Sequence, residues 1–138
     1  MQKKLSVVIP VYDEEENVVP LHKEVKETLL DLKKKKEISD YEIIFVNDGS
    51  RDKTQKLLEN LKAMEKSKLK AIQLRRNFGQ TPALKAGFEA TTGDLIVTMD
   101  GDLQNDPKDI FRLIEKLNHG YDVVSGWRFK RNDKFTKR

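Results

Sequence analysis

The sequence contains no cysteine and only two histidines, His22 and His119, which stand far apart. Disulfides and thiolate metal sites are therefore excluded, and a zinc site built on histidine is not expected. No apolar run approaches the roughly 18 residues that a membrane-spanning helix needs. The 138 residues also contain no internal repeat. What remains is the composition of one globular domain, and the absence of cysteine fits a reducing cytoplasm.

Excess charge is confined to one end of the chain. The net charge is +4, yet residues 128–138 alone hold six basic residues against one acid. The first 127 residues are therefore close to neutral, with 21 basic and 22 acidic side chains. A neutral body argues against a nucleic-acid partner, whereas the basic tail suits a phosphate or an anionic membrane surface. We predict a domain over residues 1–127 and a basic tail over residues 128–138.

Strand-like and helix-like segments alternate through the sequence, which predicts an α/β fold with a mostly parallel sheet and helices on both faces. Thr81 is expected to cap the third helix, with Pro82 as its first residue. Apolar and polar residues alternate along the third predicted strand, which is typical of a strand nearer an edge of the sheet. Apolar runs predict five strands, over residues 5–11, 42–47, 69–74, 95–99 and 121–126. Apolar spacings of three and four predict four helices, with apolar positions over residues 18–32, 57–64, 84–91 and 110–117.

The strongest chemical signal follows the fourth predicted strand. The chain runs from Met99 directly into Asp100 and Asp102, which one glycine separates, and Gln104 adds an amide oxygen. Two carboxylates at the end of a buried strand require a cation or a raised pKa, and oxygen donors favour Mg²⁺ or Mn²⁺. The alternative is that Asp100 caps a turn and that Asp102 starts the helix indicated by Pro107.

Acidic residues also follow the first two predicted strands, at Tyr12–Glu14 and at Asp48. Ligands of such folds bind beyond the carboxyl ends of the strands, so three acidic loops at one edge favour a ligand site over isolated turns. No dinucleotide or P-loop glycine fingerprint follows the first strand, so the phosphates of a ligand would be neutralised mainly by a cation.

Four motifs, in this order and spacing, resemble those of the family 2 glycosyltransferases with the GT-A fold. The motifs are Ser6–Asn17, Val46–Ser50, Arg76–Gly79 and Asp100–Gln104. The similarity spans residues 5 to about 131 and is closest to the branch that moves glucose or mannose from a nucleotide onto polyprenyl (dolichyl-type) phosphate. The resemblance implies a Rossmann-like three-layer α/β/α fold and an inverting, Mg²⁺- or Mn²⁺-dependent hexose transfer at the cytoplasmic face of the membrane.

The resemblance also implies roles for individual residues. Asp100 and Asp102 would be catalytic, and Arg128 would contact a phosphate. Metal ligands are implied at Asp102, Gln104 and Asp100. Contacts with the nucleotide sugar are implied at Pro10, Tyr12 and Glu14 in the floor of the pocket, at Asp48 beside the base or ribose, and at Asp100, Gly101 and Arg128.

Two positions depart from the pattern of the family. Asp13 stands where asparagine is commoner, a change that looks harmless. Asn47 stands where many relatives have a second aspartate, which puts a metal role for that position in doubt.

The expected partners are a nucleotide sugar, a polyprenyl phosphate and, through the C-terminal region, a membrane surface. The Arg76–Gly79 motif favours UDP-glucose over GDP-mannose as the donor. Because a phosphate acceptor is already an anionic nucleophile, a dedicated general base is not required. Members of this branch continue past the fifth strand, so we expect a donor-binding part that binds nucleotide sugar and transfers it poorly by itself.

Two interpretations from other classes stay open. A phosphotransferase would use Asp100 as its nucleophile and Asp102 as its acid and base, with partners from later strands. A non-catalytic module would bind a nucleotide without transferring anything. Covalent labelling of Asp100 by a phosphoryl analogue would identify the phosphotransferase.

Overall fold

The computed structural model describes residues 3–99 and the backbone of residues 123–125. Strands and helices alternate, as the sequence predicts. The elements are β1 (Lys4–Val11), α1 (Val18–Lys34), β2 (Asp40–Asn47), α2 (Thr54–Glu65), β3 (Leu69–Gln73), α3 (Gln80–Glu89), β4 (Leu95–Thr98) and β5 (Val123–Ser125). None of the helices in this part of the chain is long and apolar enough to cross a membrane.

The five strands form one parallel sheet in the order β3-β2-β1-β4-β5. β3 lies at an edge, which confirms the expectation from its alternating pattern. The chain runs outward from β1 to β3 and then returns to place β4 on the other side of β1, so the strand order reverses there. A reversal of this kind opens a crevice at the carboxyl ends of the strands, where ligands of open α/β sheets bind.

Two apolar clusters cover the two faces of the sheet, so the α/β class with helices on both faces is confirmed. On one face, Leu5 and Phe45 belong to a cluster with Leu29 of α1 and Leu58 of α2. On the other face, Val8, Ile44 and Val46 pack with Ala83 and Leu84 of α3. Alternate residues of each strand point to opposite faces, which explains why β1 and β2 are apolar on both sides.

The third helix begins earlier than the sequence suggests. α3 starts at Gln80, and Gly79 precedes it with φ 105°, so the expected cap at Thr81 is wrong. Pro82 is the third helical residue rather than the first. A glycine adopts such a positive φ without the steric cost that a side chain would add, so the chain can turn sharply into the helix at this point.

A buried carboxylate joins the amino ends of the strands. Glu42 of β2 is 1% exposed and accepts hydrogen bonds from Ser6 Oγ (2.6 Å) and from the backbone N–H of Thr92 (2.6 Å). Lys70 Nζ of β3 lies 3.2 Å from its other oxygen. Burial alone would raise the pKa of Glu42, but the hydrogen bonds and the ammonium group outweigh it and lower the pKa to about 2. Glu42 therefore anchors the connection that leads into β4.

Several predicted features lie outside the described residues: the helix that begins at Pro107 and the basic tail over residues 128–138. The fifth predicted strand is present as β5, paired with β4 through Ile96 and Val123.

Candidate functional site

Three loops meet at the carboxyl edge of the sheet. They are the β1 loop (residues 12–17), the β2 loop (residues 48–53) and the β3 loop (residues 74–79). The backbone joins them directly, because Asp48 N–H donates to Val11 O (2.9 Å) and Leu74 N–H donates to Asn47 O (2.9 Å). The parallel register of the strands therefore brings these loops together.

The sequence-predicted residues Pro10, Tyr12, Glu14 and Asp48 all lie at this edge. Pro10 is half-buried near the end of β1, opposite Val46. Tyr12 is 39% exposed, whereas Asp48 is only 5% exposed. Glu14 is half-buried, and its Oε1 accepts a hydrogen bond from the side chain of a residue in its own loop. These four residues lie at the same edge of the sheet, and their contact with a nucleotide stays a prediction.

The β1 and β2 loops exchange hydrogen bonds in both directions through Asp13. Its N–H donates to Ser50 Oγ (2.9 Å), and its Oδ1 accepts from the N–H of Arg51 (2.8 Å). Asp13 has φ 52°, a left-handed conformation that aspartate and asparagine tolerate better than most residues. The exchange therefore holds the chain in a sharp turn directly after Tyr12.

A second exchange lies deeper in the same pair of loops. Asp52 accepts hydrogen bonds from Glu15 N–H (3.1 Å) and from Thr54 N–H (2.9 Å), and Thr54 Oγ1 accepts from Glu14 N–H (2.9 Å). Burial would raise the pKa of Asp52, but the hydrogen bonds from the Thr54 hydroxyl and from the N–H groups of Thr54 and Glu15 outweigh it, so its pKa lies below the ordinary value. Asp52 thereby links the β1 loop to Thr54, the first residue of α2.

The carboxylate of Asp48 holds the β3 loop. Its Oδ1 accepts from Phe78 N–H (2.8 Å), and its Oδ2 accepts from Gly79 N–H (3.0 Å) and from Asn77 Nδ2 (3.2 Å). Asn77 Nδ2 also donates to the backbone oxygen of Asp48 (3.2 Å). Both carboxylate oxygens therefore accept hydrogen bonds from one short segment of the neighbouring loop.

Gly49 allows the β3 loop to lie directly against the β2 loop. A Cβ on Gly49 would lie 2.3 Å from the carbonyl carbon of Arg76 and 2.4 Å from Asn77 N, and its φ of 76° favours glycine. Beyond this contact, the Arg76 guanidinium stacks over the Phe78 ring at 4.6 Å, and Phe78 is 42% exposed. An aromatic ring and a cation thus lie at the surface of the same edge.

Asn47, the second departure from the family pattern, makes local contacts. It is fully buried, its Nδ2 donates to Gln55 Oε1 (2.8 Å), and its Oδ1 accepts from Ser50 N–H (2.9 Å). Both ends of its amide are used to shape the β2 loop. This agrees with the doubt that the sequence raises about a metal role for position 47.

β4 directs the chain toward the predicted metal ligands. Met99 N–H donates to Val8 O (3.0 Å), so the backbone is still paired with β1 one residue before Asp100. Within residues 3–99, no group of three or more histidine, aspartate or glutamate side chains is arranged to hold a metal ion. The remaining sequence-predicted residues lie outside the described part of the chain: Asp100, Gly101, Asp102, Gln104 and Arg128.

Sequence reasoning missed the residues that connect the loops to one another. Asp13, Ser50, Thr54 and Asn77 hold the site together without having been expected to do so. Short polar side chains beside turn residues commonly bond the backbone, which is the signal that could have indicated them. Their partners are more than 25 residues away in sequence, so the pattern by itself could not have identified the pairs.

The family comparison covers nearly all of the chain. Residues 6–138 match the sequence profile described as "Glycosyl transferase family 2". The chain is 43% identical over 136 residues to the undecaprenyl-phosphate 4-deoxy-4-formamido-L-arabinose transferase of Aeromonas hydrophila, which covers 99% of the chain and 40% of that protein. The protein of the same name from Pseudomonas aeruginosa is 42% identical over 134 residues, which cover 97% of the chain and 38% of that protein. The chain thus spans about two fifths of the length of these relatives.

Solved structures share the fold. A mannosyltransferase from Pyrobaculum calidifontis, solved with GDP-Man and Mn²⁺, matches with a TM-score of 0.67 at 20% identity, covering 80% of this chain and 31% of that one. The structure of TarS residues 1–349 from S. aureus, solved with UDP-GlcNAc, matches with a TM-score of 0.64 at 24% identity. The match covers 86% of this chain and 32% of that one. These likenesses support the GT-A arrangement that the sequence motifs imply.

Proposed function

The chain belongs to glycosyl transferase family 2, and we propose that it forms the donor-binding part of an enzyme that transfers a sugar from a nucleotide to undecaprenyl phosphate. The observation that carries this proposal is the set of three interlocked loops at the carboxyl edge, beside the strand that leads to Asp100 and Asp102. The names of the curated relatives supply the acceptor and the class of reaction.

The nucleotide is proposed to bind across the three loops. Pro10, Tyr12 and Glu14 form the floor of the pocket, with Asp48 on the side of the base or ribose. Tyr12 offers an exposed ring beside which a base can pack, since aromatic side chains at exposed edges commonly contact flat ligands. The hydrogen bonds between the loops hold these groups in place before the ligand arrives, which reduces the entropy lost on binding.

Asp100, Asp102 and Gln104 are proposed to hold Mg²⁺ or Mn²⁺, and Arg128 to contact a phosphate. Two carboxylates and one amide oxygen form a donor set that fits a hard divalent cation. Such an ion supplies stabilisation for the negative charge that develops on the leaving diphosphate. Gly101, between the two aspartates, leaves room for the sugar nucleotide to approach the backbone.

The transfer is proposed to invert the anomeric carbon. A phosphate oxygen of the acceptor forms a bond to that carbon, and the bond from the carbon to the nucleotide diphosphate breaks with its electron pair leaving on the diphosphate. Because the acceptor phosphate is largely ionised near neutral pH, no side chain of the chain has to remove a proton.

Two donors are candidates for this pocket. The motif Arg76–Gly79 favours a hexose donor, UDP-glucose over GDP-mannose. The names of the relatives favour a nucleotide-linked 4-deoxy-4-formamido-L-arabinose. Both share the nucleotide diphosphate, so the loops described above serve either sugar.

The proposed site of action is the cytoplasmic face of the membrane, where residues 128–138 would face anionic lipid. Six of those residues are basic, and attraction to an anionic surface is worth about 1 kcal/mol for each basic residue close to it. Sedimentation with vesicles that contain anionic lipid tests this, and loss of binding when the basic residues are replaced by glutamine supports it. Binding that is independent of lipid charge contradicts it.

Calorimetric titration tests the donor site. UDP, GDP, UDP-glucose, GDP-mannose and the nucleotide-linked formamido-arabinose are each added with and without Mn²⁺. We expect binding that requires the metal, and at least about tenfold weaker binding by Asp102→Ala. Asp31→Ala removes the same charge from an exposed position on α1 and serves as the matched control. Absence of nucleotide binding by the folded protein, or equal binding by Asp102→Ala, contradicts the proposal.

A further inference from the structure

Asp48 is the only residue in the described part of the β2 loop whose carboxylate bonds directly to the β3 loop. It is 5% exposed, and both of its oxygens accept hydrogen bonds from residues 77–79. A carboxylate oxygen accepts more than one hydrogen bond, so Asp48 can still accept further hydrogen bonds besides these. They do determine where the segment lies, because three donors of one short segment converge on a single side chain.

The segment that Asp48 holds presents its side chains outward. The Phe78 ring is 42% exposed with the Arg76 guanidinium stacked on it, whereas the backbone of the segment faces Asp48 and Gly49. An exposed ring and a cation suit a nucleotide, since the ring packs on a base and the cation attracts phosphate. Gly79 ends the segment and precedes α3, so the same contacts fix where that helix begins.

We propose that Asp48 is a positioning residue, which acts on the donor nucleotide by holding residues 76–79 as one wall of the pocket. Asn77 is its partner, because Asn77 Nδ2 bonds both the carboxylate and the backbone oxygen of Asp48. The proposal rests on the nucleotide-binding function proposed above. It differs from a direct contact between Asp48 and the base or ribose, which would not require residues 76–79 as a wall of the pocket.

Asn77→Ala distinguishes the two roles. This substitution leaves the Asp48 carboxylate in place and removes one donor from the segment. If Asp48 acts through the segment, nucleotide binding should weaken by about threefold to tenfold in Asn77→Ala and by at least about tenfold in Asp48→Ala. Asn60→Ala, at an exposed position of α2, is the matched control and should bind as the wild type does.

Amide NMR reports on the segment independently of any ligand. The amide protons of Phe78 and Gly79 bond a carboxylate, so in Asp48→Ala their resonances should move upfield and their hydrogen exchange should accelerate by at least about tenfold. Glu42→Ala removes the buried carboxylate at the opposite end of β2 and should leave these two resonances unchanged. Measurements are made well below the melting temperature of each variant, so that unfolding does not contribute.

The outcomes separate this inference from the proposed function. Weaker binding by both Asp48→Ala and Asn77→Ala, with altered Phe78 and Gly79 amides, supports it. Weaker binding by Asp48→Ala alone, with wild-type binding by Asn77→Ala, overturns it in favour of direct contact. Unchanged amides in Asp48→Ala overturn it as well. If the wild type binds no nucleotide, the proposed function fails, and the amide exchange still shows whether Asp48 holds the segment.

Discussion

Two buried carboxylates lie near opposite ends of β2, Glu42 within the strand and Asp48 directly after it, and they have different partners. Glu42, at the amino edge of the sheet, contacts two hydroxyls, a backbone N–H and the Lys70 ammonium. Asp48, at the carboxyl edge, contacts three N–H groups and, within the described residues, no cation. The first carboxylate therefore has a cation beside it, and the second accepts hydrogen bonds from amide groups.

The difference separates a structural anchor from a ligand site. The partners of Glu42 belong to β1, β3 and the α3–β4 connection, so its contacts join elements whose mutual positions define the sheet. The partners of Asp48 belong to one loop that exposes an aromatic ring and a cation. We therefore expect substitutions at the amino edge to lower stability without weakening nucleotide binding by the folded protein, and substitutions at the carboxyl edge to weaken nucleotide binding.

The largest expected effect is the loss of stability on removing the anchor. Glu42→Ala leaves the Thr92 N–H without its acceptor and removes the carboxylate paired with the Lys70 ammonium, which should lower the free energy of unfolding by about 3 kcal/mol. Urea unfolding measures it. Asp31→Ala, which removes an exposed carboxylate paired with Lys35, is the control and should cost about 0.5 kcal/mol or less. Similar losses in the two variants would contradict the role of Glu42.

A collision at the carboxyl edge should have the next largest effect. In Gly49→Ala, the new Cβ meets the backbone of Arg76 at 2.3 Å, so the β3 loop must move. We expect the free energy of unfolding to fall by about 2 kcal/mol and nucleotide binding to weaken. Gly79→Ala reports backbone strain without a collision, because Gly79 also has a positive φ but its Cβ would meet nothing closer than 4.0 Å. Equal losses in both variants would show that strain at φ, and not the collision, is responsible.

Acid should weaken the anchor. The pKa of Glu42 is lowered from 4.5 to about 2 in the folded protein, so its stabilisation is fully present above pH 4.5 and is lost as the pH falls toward 2. Urea unfolding at about pH 7 and about pH 3 should show a larger loss in the wild type than in Glu42→Gln, which cannot titrate at this position. The lowered pKa values of Asp40 and Asp52 contribute in both proteins and cancel in the comparison. Equal losses would refute the assignment.

The smallest effect is expected at Asp13. Asp13→Asn keeps an oxygen that accepts the Arg51 N–H and tolerates φ 52°, so stability should change by less than about 0.5 kcal/mol. Asp13→Ala loses that acceptor, so its free energy of unfolding should fall by about 1 kcal/mol and its nucleotide binding should weaken somewhat. Thermal unfolding of both variants checks this, and a large loss in Asp13→Asn would show that the charge, and not the hydrogen bond, matters.

The sequence predicted the sheet well because the apolar periodicity is strong. All five strands lie where apolar runs predict them, and β3 lies at an edge as its alternation indicates. The start of α3 was predicted two residues late. Its position depends on the positive φ of Gly79 and on the hydrogen bond from Gly79 to Asp48, a tertiary contact that local propensity does not include.

The site was predictable in outline only. Parallel strands place the residues that follow them at one edge, so Tyr12, Glu14 and Asp48 could be grouped from the sequence. The bonds of Asp48 to Phe78 and of Asp13 to Ser50 join residues 30 and 37 positions apart. Pairs of this kind depend on how the loops turn after the strands end, which hydrophobic periodicity does not encode.

Chemical-shift mapping tests the central claim, that the carboxyl edge binds a nucleotide and the amino edge does not. UDP is titrated into the isotopically labelled protein with Mg²⁺, which does not broaden the resonances. We expect shifts at residues 12–15, 48–50 and 76–79, with no change at Glu42 or Thr92. Shifts centred on the amino edge, or none at the three loops while the protein remains folded, would contradict it.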